Sequence, residues 1–177
     1  VAMALSNHLA SLYRAQGRHA EAEAAYARAL SALEKSVPAD DERLGVALID
    51  LAEWHHGRQQ YGRAEPYYRR GIPILQKHFP PAHPRVLHLL REWGQVRQLQ
   101  GQYAEAEAVY RLMLTLIETH QGKDHPNVAV ALNNLVGLYE AQGRQTDADA
   151  LRQRMLQIAN TPYRSQPYRS EEHTSEL

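Results

Sequence analysis

Histidine is the residue type in this chain that most readily suggests chemistry, because ten are present and imidazole is a common metal ligand. The most plausible sets are His55 with His56, and His83 with His88. Adjacent histidines on a helix point about 100° apart and cannot face one ion, and no acidic residue completes a spacing such as His-Glu-x-x-His. We therefore expect no metal site, and we interpret His83 and His125, which precede prolines, as capping or loop-packing residues.

The remaining reactive side chains are also poorly placed for a reaction. The chain contains no cysteine and no glycine elbow around a serine, so a nucleophile with its base is missing. Gly-rich loops that cradle phosphates are absent as well. Carboxylate pairs such as Glu105 and Glu107 recur at a fixed interval, which favours the solvated surface of a repeating helix. The sequence therefore predicts no catalytic residue, no bound cofactor and no enzyme activity.

The fixed interval is 42 residues, and it organises most of the chain. Residues 17–23 (GRHAEAE) recur as residues 101–107 (GQYAEAE) and 143–149 (GRQTDAD). The intervening copy, residues 59–65 (QQYGRAE), keeps the pattern but begins with Gln59 in place of glycine. Self-similarity at such a period is the signature of a repeat architecture, in which stacked units bury a continuous core.

Aligned positions form two apolar stripes in each copy. The stripe before the glycine includes Leu9, Leu51, Trp93 and Leu135, and also Leu12, Trp54, Val96 and Leu138. The stripe after it includes Ala22, Ala64, Ala106 and Ala148, then Tyr26, Tyr68, Tyr110 and Arg152, then Leu30, Ile72, Leu114 and Leu156. Steps of three and four residues place each stripe on one helical face. Each copy therefore predicts an antiparallel helix pair, with the glycine ending the first helix and the alanine where helices approach closely.

These columns resemble the tetratricopeptide repeat. The signature is matched by Leu9, Ala10, Tyr13, Gly17, Ala22, Tyr26 and Ala29, and a second match runs from Asn133, Asn134 and Leu135 to Tyr139 and Gly143. The long period resembles the kinesin light chain subclass, whose linkers carry an Asp-His-Pro segment. Here the linkers read Asp124-His125-Pro126, Ala82-His83-Pro84 and Asp40-Asp41-Glu42. HEAT and armadillo repeats share the length range but lack the Gly-x-Tyr-x-x-Ala spacing.

The resemblance implies an all-α fold, a right-handed α-solenoid of about four helix-turn-helix repeats with eight helices. We expect one domain over residues 1–160, with repeats at about 2–43, 44–85, 86–127 and 128–160. Pro66 and Pro73 fall inside the second helix of repeat 2, where proline removes a donor and crowds the preceding turn. We expect that helix to start late or to bend near Pro73. Arg152 replaces a tyrosine in the last repeat, which we interpret as an end effect.

The periodicity stops after residue 160. Residues 161–177 are polar and contain Pro162 and Pro167, which predicts a disordered tail. Residues 169–177 (RSEEHTSEL) match, letter for letter, the translation of a common sequencing adapter. Our hypothesis is that the reading frame ran into adapter, so that the natural protein continues with more repeats beyond about residue 160.

The resemblance also implies a concave groove, lined by the first helix of each repeat, that binds a protein or peptide. Carried over one by one, the groove positions are Asn7, His8, Ser11 and Arg14; Ile49, Asp50, Glu53 and His56; Arg91, Glu92, Gln95 and Gln98; and Asn133, Asn134, Gly137 and Glu140. Amides dominate this set, and a carboxamide can both donate to and accept from a peptide backbone. Two arginines oppose four carboxylates, so an internal, extended and mildly basic segment is a better ligand than a free C-terminus.

Composition limits the other classes of partner. Lys and Arg number 20 and Asp and Glu number 20, so no net field attracts nucleic acid or an anionic membrane. The groove lacks the basic, stacking surface that RNA-reading repeats need, and no apolar run approaches the roughly 20 residues that span a bilayer. The absence of cysteine is compatible with the cytoplasm, where we expect the protein. We predict a protein-interaction scaffold; the alternative is a regulatory module of a larger signalling protein that self-associates through its uncapped terminal repeats.

Overall fold

The structure is a computed structural model in which Ala10, residues 12–13 and residues 15–160 are described. Over this range every regular element is helical, and seven helices follow one another. They are α1 (His19–Ser36), α2 (Glu42–Gly57), α3 (Tyr61–His78), α4 (Pro84–Leu99), α5 (Tyr103–Gln121), α6 (Pro126–Ala141) and α7 (Gln145–Asn160). Ala10 and Leu12 are also helical, so the first of the eight predicted helices lies largely outside the described residues. Each helix packs against the next in an α-solenoid.

The apolar stripes form the core that joins the repeats. All four members of the alanine column, from Ala22 to Ala148, have no exposed surface, and Tyr26, Tyr68 and Tyr110 are buried. At both ends of the stack the stripes are open, because Leu12 and Leu156 are each more than half exposed. Gly94 packs directly against Tyr110, and a Cβ there would lie 2.3 Å from the ring, so that only glycine fits without a shift. The predicted stripes are thus confirmed away from the ends.

The first helix of each repeat ends in the same hydrogen-bonded turn. In repeat 3 the backbone N–H of Gly101 donates to the carbonyl of Gln98, and that of Gln102 to the carbonyl of Arg97. This pair of bonds is the Schellman motif, whose left-handed residue favours glycine. Gly17, Gly101 and Gly143 have φ of 70°, 75° and 71°, as predicted, and Gln59 adopts the same conformation with φ of 59°. Repeat 2 therefore keeps the turn at the cost of a strained non-glycine residue.

The inter-repeat linkers start the next helix with a side-chain cap. The Nδ1 of His83 accepts from the backbone N–H of Arg85 at 3.2 Å, and His125 accepts in the same way from Asn127 at 3.1 Å. In the first linker Asp41 takes this role, and hydrogen bonds from Arg43 lower the pKa of its carboxyl to about 2. Capping is thus confirmed for both histidines, and the linker that departs from Asp-His-Pro substitutes a carboxylate cap.

The predicted late start of the second helix in repeat 2 is wrong. Helix α3 begins at Tyr61, the position equivalent to Tyr103 in α5, and continues as a single helix to His78. Both prolines lie on its exposed side, as do Gly62 and Arg69, whose carbonyls lose their helical donors. Water can hydrate these carbonyls, while Tyr68 and Ile72 on the opposite face stay buried in the core. Packing of the buried face therefore outweighs the local preference of proline.

A column of carboxylates joins consecutive repeats. Glu107, on α5, accepts from the hydroxyl of Tyr139 and from Nη1 of Arg144, both at 2.9 Å and both in the next repeat. The equivalent Glu65 lies 3.1 Å from Nη1 of Arg97. Burial alone would raise the pKa of Glu107, but hydrogen bonds from Arg111, Tyr139 and Arg144 outweigh it and lower the pKa. The predicted solvated surface is thus confirmed for Glu105, which is exposed, but not for Glu107, which the next repeat partly covers.

Candidate peptide-binding groove

The first helices of repeats 2, 3 and 4 are α2, α4 and α6, and two clefts separate them. The cleft between α2 and α4, here called the acidic cleft, has a volume of about 460 Å³ and is lined by Glu53, His56, Gly57, Gln59, Tyr61, His88 and Glu92. The cleft between α4 and α6, here called the amide cleft, has a volume of about 320 Å³ and is lined by Arg91, Gln95, Gln98, Leu99, Tyr110, Asn133, Asn134 and Gly137. The structure thus brings together three of the predicted groove residues in the first cleft and six in the second.

Glu92 is the centre of the charges in the acidic cleft. Its Oε2 lies 3.0 Å from Nδ1 of His56, and its Oε1 lies 2.7 Å from Nη2 of Arg91. The hydrogen bond with His56, aided by the charge of Arg91, lowers the pKa of Glu92 against the effect of burial. Glu53 is exposed at the same cleft and makes no ion pair or hydrogen bond with any other described residue. Among the described residues, this carboxylate of the cleft therefore has no cationic partner.

Tyr68 lies beneath the acidic cleft, with its hydroxyl 3.3 Å from Nδ1 of His56. Burial raises the pKa of this phenol, and the carboxylates of Glu53 and Glu92 raise it further. Tyr68 is consequently neutral at physiological pH and acts as a hydrogen-bonding support for His56.

The amide cleft combines carboxamides with a buried tyrosine. The hydroxyl of Tyr110 donates to Oε1 of Gln98 at 3.4 Å, and burial raises the pKa of Tyr110 to about 12. The Nδ2 of Asn134 is buried but has no hydrogen-bond partner among the residues that the structure describes. A buried donor without an acceptor costs about 1–3 kcal/mol. A ligand that supplies an oxygen here would remove that cost.

An apolar recess adjoins both clefts on α4. It has a volume of about 220 Å³ and is lined by Pro84, Leu87, His88, Arg91, Met113, Ile117, Asn127 and Val130. His88 and Val130 are equivalent positions 42 residues apart, one helical turn before Glu92 and Asn134. They were missed in the sequence, although a step of four residues back from the groove positions would have found them.

Comparison with known proteins supports the repeat assignment. The family model described as tetratricopeptide repeat matches residues 1–77 and 85–161. The chain belongs to the tetratricopeptide repeat family. A search of curated proteins returned no match.

Two solved structures show the same fold as this tetratricopeptide repeat chain. One is a putative kinesin light chain of Podosopora anserina with nearly identical TPR-like repeats, 21% identical with a TM-score of 0.80 over 92% of this chain and 77% of that chain. The other is BtubC (BKLC) from P. vanneervenii, 23% identical with a TM-score of 0.73 over 95% of this chain and 68% of that chain. The kinesin light chain-like character expected from the long period is thus confirmed in the fold.

The other predicted groove positions of the tetratricopeptide pattern have different outcomes. Asn7, His8, Ser11 and Arg14 lie outside the described residues. Ile49 is buried, contrary to prediction, because its side chain packs where Gly71 leaves room on α3. Asp50 is half-buried on α2 and lines neither cleft. The predicted tail at residues 161–177 also lies outside the described part of the chain.

Glu140 is engaged by Arg152, and this pair explains the missing tyrosine. In repeats 2 and 3 the equivalent residues contact a tyrosine, as His56 with Tyr68 and Gln98 with Tyr110. In repeat 4 the guanidinium of Arg152 instead forms an ion pair with Glu140, and a second one with Asp149 at 2.7 Å. Arg152 therefore has partners within its own repeat, and the loss of a following neighbour is not its only explanation.

Two negative findings apply to the part of the chain that the structure describes. No group of three or more His, Asp or Glu side chains is arranged to hold a metal ion. No helix there is both long and apolar enough to cross a membrane.

Proposed function

We propose that this chain is a protein-interaction scaffold that holds an extended peptide segment of a partner in its concave groove. The Nδ2 of Asn134, which has no hydrogen-bond partner among the described residues, is the observation that carries the proposal, because it lies buried at a cleft lined by five further polar side chains. A peptide carbonyl supplies the missing acceptor, and the neighbouring carboxamides can both donate and accept. The groove acts by binding alone, and we place the protein in the cytoplasm.

The charge of the groove favours a particular kind of segment. Among its described positions one arginine, Arg91, opposes four carboxylates, and Arg91 is already paired with Glu92. Over the described part of the groove, a terminal carboxylate would meet this negative surface without a free cation to hold it. We therefore propose an internal segment of mixed or mildly basic character, whose ends lie outside the groove.

Peptide selection followed by titration tests this proposal. Peptides with acetylated and amidated ends are selected from a random library against the whole chain, and binders are titrated by fluorescence anisotropy. Replacing both Asn133 and Asn134 with alanine should weaken binding by about 1–3 kcal/mol while helicity is preserved. Gln153→Ala is the matched control, because Gln153 is an exposed carboxamide on α7 and lines neither cleft. Unchanged affinity of the double variant would move the binding surface away from the groove.

Self-association is the second candidate, and an exposed apolar residue on the last helix favours it. Leu156 on α7 is 58% exposed, beside the partly buried Met155. If this end joins a second copy, sedimentation should show a dimer that Leu156→Glu converts to a monomer. A monomer at all concentrations would leave the scaffold as the one supported function.

A further inference from the structure

Helix α4 separates the two clefts and presents opposite charges to them. Glu92 lines the acidic cleft and Arg91, its neighbour in the chain, lines the amide cleft. The two side chains are joined by a 2.7 Å ion pair across the ridge of the helix. A ligand that crosses α4 therefore passes from a negatively charged cleft into a cleft rich in hydrogen-bond donors.

The acidic cleft suits a cationic side chain. Glu92 is already balanced by His56 and Arg91, but Glu53 is exposed and unpaired among the described residues. Tyr61 adds an aromatic ring to the same wall, and a cation is attracted by both carboxylates and aromatic faces. A lysine or arginine of the ligand would complete this arrangement.

The amide cleft requires an acceptor oxygen. The Nδ2 of Asn134 is the unsatisfied donor, and Gln95 and Asn133 are exposed beside it. A side-chain carboxamide fits best, because it accepts from Asn134 and can also donate to neighbouring carboxamide oxygens.

The distance between the clefts sets the spacing of these two ligand residues. The two clefts lie on opposite sides of α4. Packed helix axes are about 8–10 Å apart, and we take a separation of about this size for the two ligand residues. A polyproline II segment repeats every three residues and rises about 3.1 Å per residue, so side chains three positions apart point the same way at about 9 Å. A β-strand places same-side residues at about 7 or 13 Å, which fits less well.

We infer that the groove selects a polyproline II segment with a lysine or arginine in the acidic cleft and a glutamine or asparagine three residues away in the amide cleft. This inference rests on the proposed function, since it specifies the ligand of the same groove.

The test uses blocked ten-residue peptides in a Pro/Ala/Ser background, each with one lysine and one glutamine. Spacings of one, two, three and four residues are compared in both orders by anisotropy against the whole chain. The best peptide should have spacing three, and replacing its lysine with norleucine or its glutamine with leucine should each weaken binding about fivefold.

Two protein variants then assign each residue to its cleft. In Glu53→Gln, the lysine and norleucine peptides should bind with equal affinity, while the glutamine peptide should still bind more tightly than the leucine peptide. In Asn134→Ala, the glutamine and leucine peptides should bind equally, while lysine should still bind more tightly than norleucine. Glu105→Gln, at an exposed carboxylate on α5 that lines neither cleft, should change neither. If Asn134→Ala lowers the melting temperature enough to obscure binding, the inference is tested on Glu53→Gln alone. Glu53 is exposed, so its replacement should leave the fold intact.

The inference and the proposed function fail in different ways. Equal affinity at all spacings, or no binding of the designed peptides, overturns the inference. If replacing Asn133 and Asn134 still weakens the binding of library-selected peptides, the groove remains the proposed binding site. If replacing both asparagines leaves the affinity of the selected peptides unchanged, the proposed function is overturned as well.

Discussion

Replacing Gln59 with glycine should stabilise the protein, although no contact is gained. Gln59 has φ of 59° in the turn that ends α2, where the other repeats hold glycine. The left-handed conformation costs an L-residue about 1–2 kcal/mol, and glycine avoids this cost. Glycine also increases the entropy of the unfolded chain, which opposes the gain by about 0.4–1 kcal/mol. We therefore expect a net increase of about 0.5–1 kcal/mol in the free energy of unfolding.

The reverse change in repeat 3 is the matched control. At Gly101 an added Cβ would meet nothing within 4 Å, so Gly101→Gln changes the backbone strain without creating a clash. It should lower the free energy of unfolding by about the amount that Gln59→Gly raises it. For a chain of this size, 1 kcal/mol corresponds to a shift of about 2–4 °C in melting temperature.

Urea unfolding followed by circular dichroism measures both variants, with thermal melting as a second probe. Repeat stacks can unfold in parts, so the two probes must agree before a single free energy is assigned. A destabilised Gln59→Gly variant, or a neutral Gly101→Gln variant, would refute the argument that the turn in repeat 2 is strained.

Ala106→Leu should destabilise the fold by about 1–3 kcal/mol, because Ala106 has no exposed surface and the core has no space for a larger side chain; an unchanged melting midpoint would contradict the repeat register. Glu107→Gln should destabilise the protein most above about pH 4.5, where the unfolded carboxyl is ionised, since the folded pKa is lowered. The difference from the unmodified chain should vanish as the pH falls below that lowered pKa, and a difference that persists in acid would show that ionisation is not the cause. Deleting residues 162–177 should leave helicity and melting unchanged; a lower melting temperature would show that the tail packs on the repeats.

Much of the fold could be predicted from the sequence because one period of 42 residues carries it. Each column repeats the same physical requirement, so the alanines of the second helices identify the core in four copies and the tyrosines in three. The register also places Gln59 in the glycine column, although its left-handed conformation was not predicted. The predicted late start of α3 was wrong because it used a local rule without knowing which face of α3 is buried.

The groove was less predictable, since its clefts form between repeats. Glu92 meets His56 from 36 residues earlier in the chain, and Glu107 meets Arg144 from 37 residues later. A pattern matched position by position selects residues on the correct helix, as with Asn134, but does not show what lies opposite. Ile49 was predicted to lie in the groove for this reason. Its side chain instead packs in the core against Gly71, which has no side chain to exclude it.

The carboxylate column makes the stack directional. Glu65 and Glu107 each extend toward the C-terminal neighbour, whereas Asp149 in the last repeat pairs with Arg152 of its own helix. Loss of a C-terminal repeat would leave Glu65 or Glu107 paired only with the arginine of its own helix, Arg69 or Arg111. Loss of an N-terminal repeat would instead leave arginines and a tyrosine that water solvates readily. Under mechanical load, the two ends of this solenoid should therefore not be equivalent.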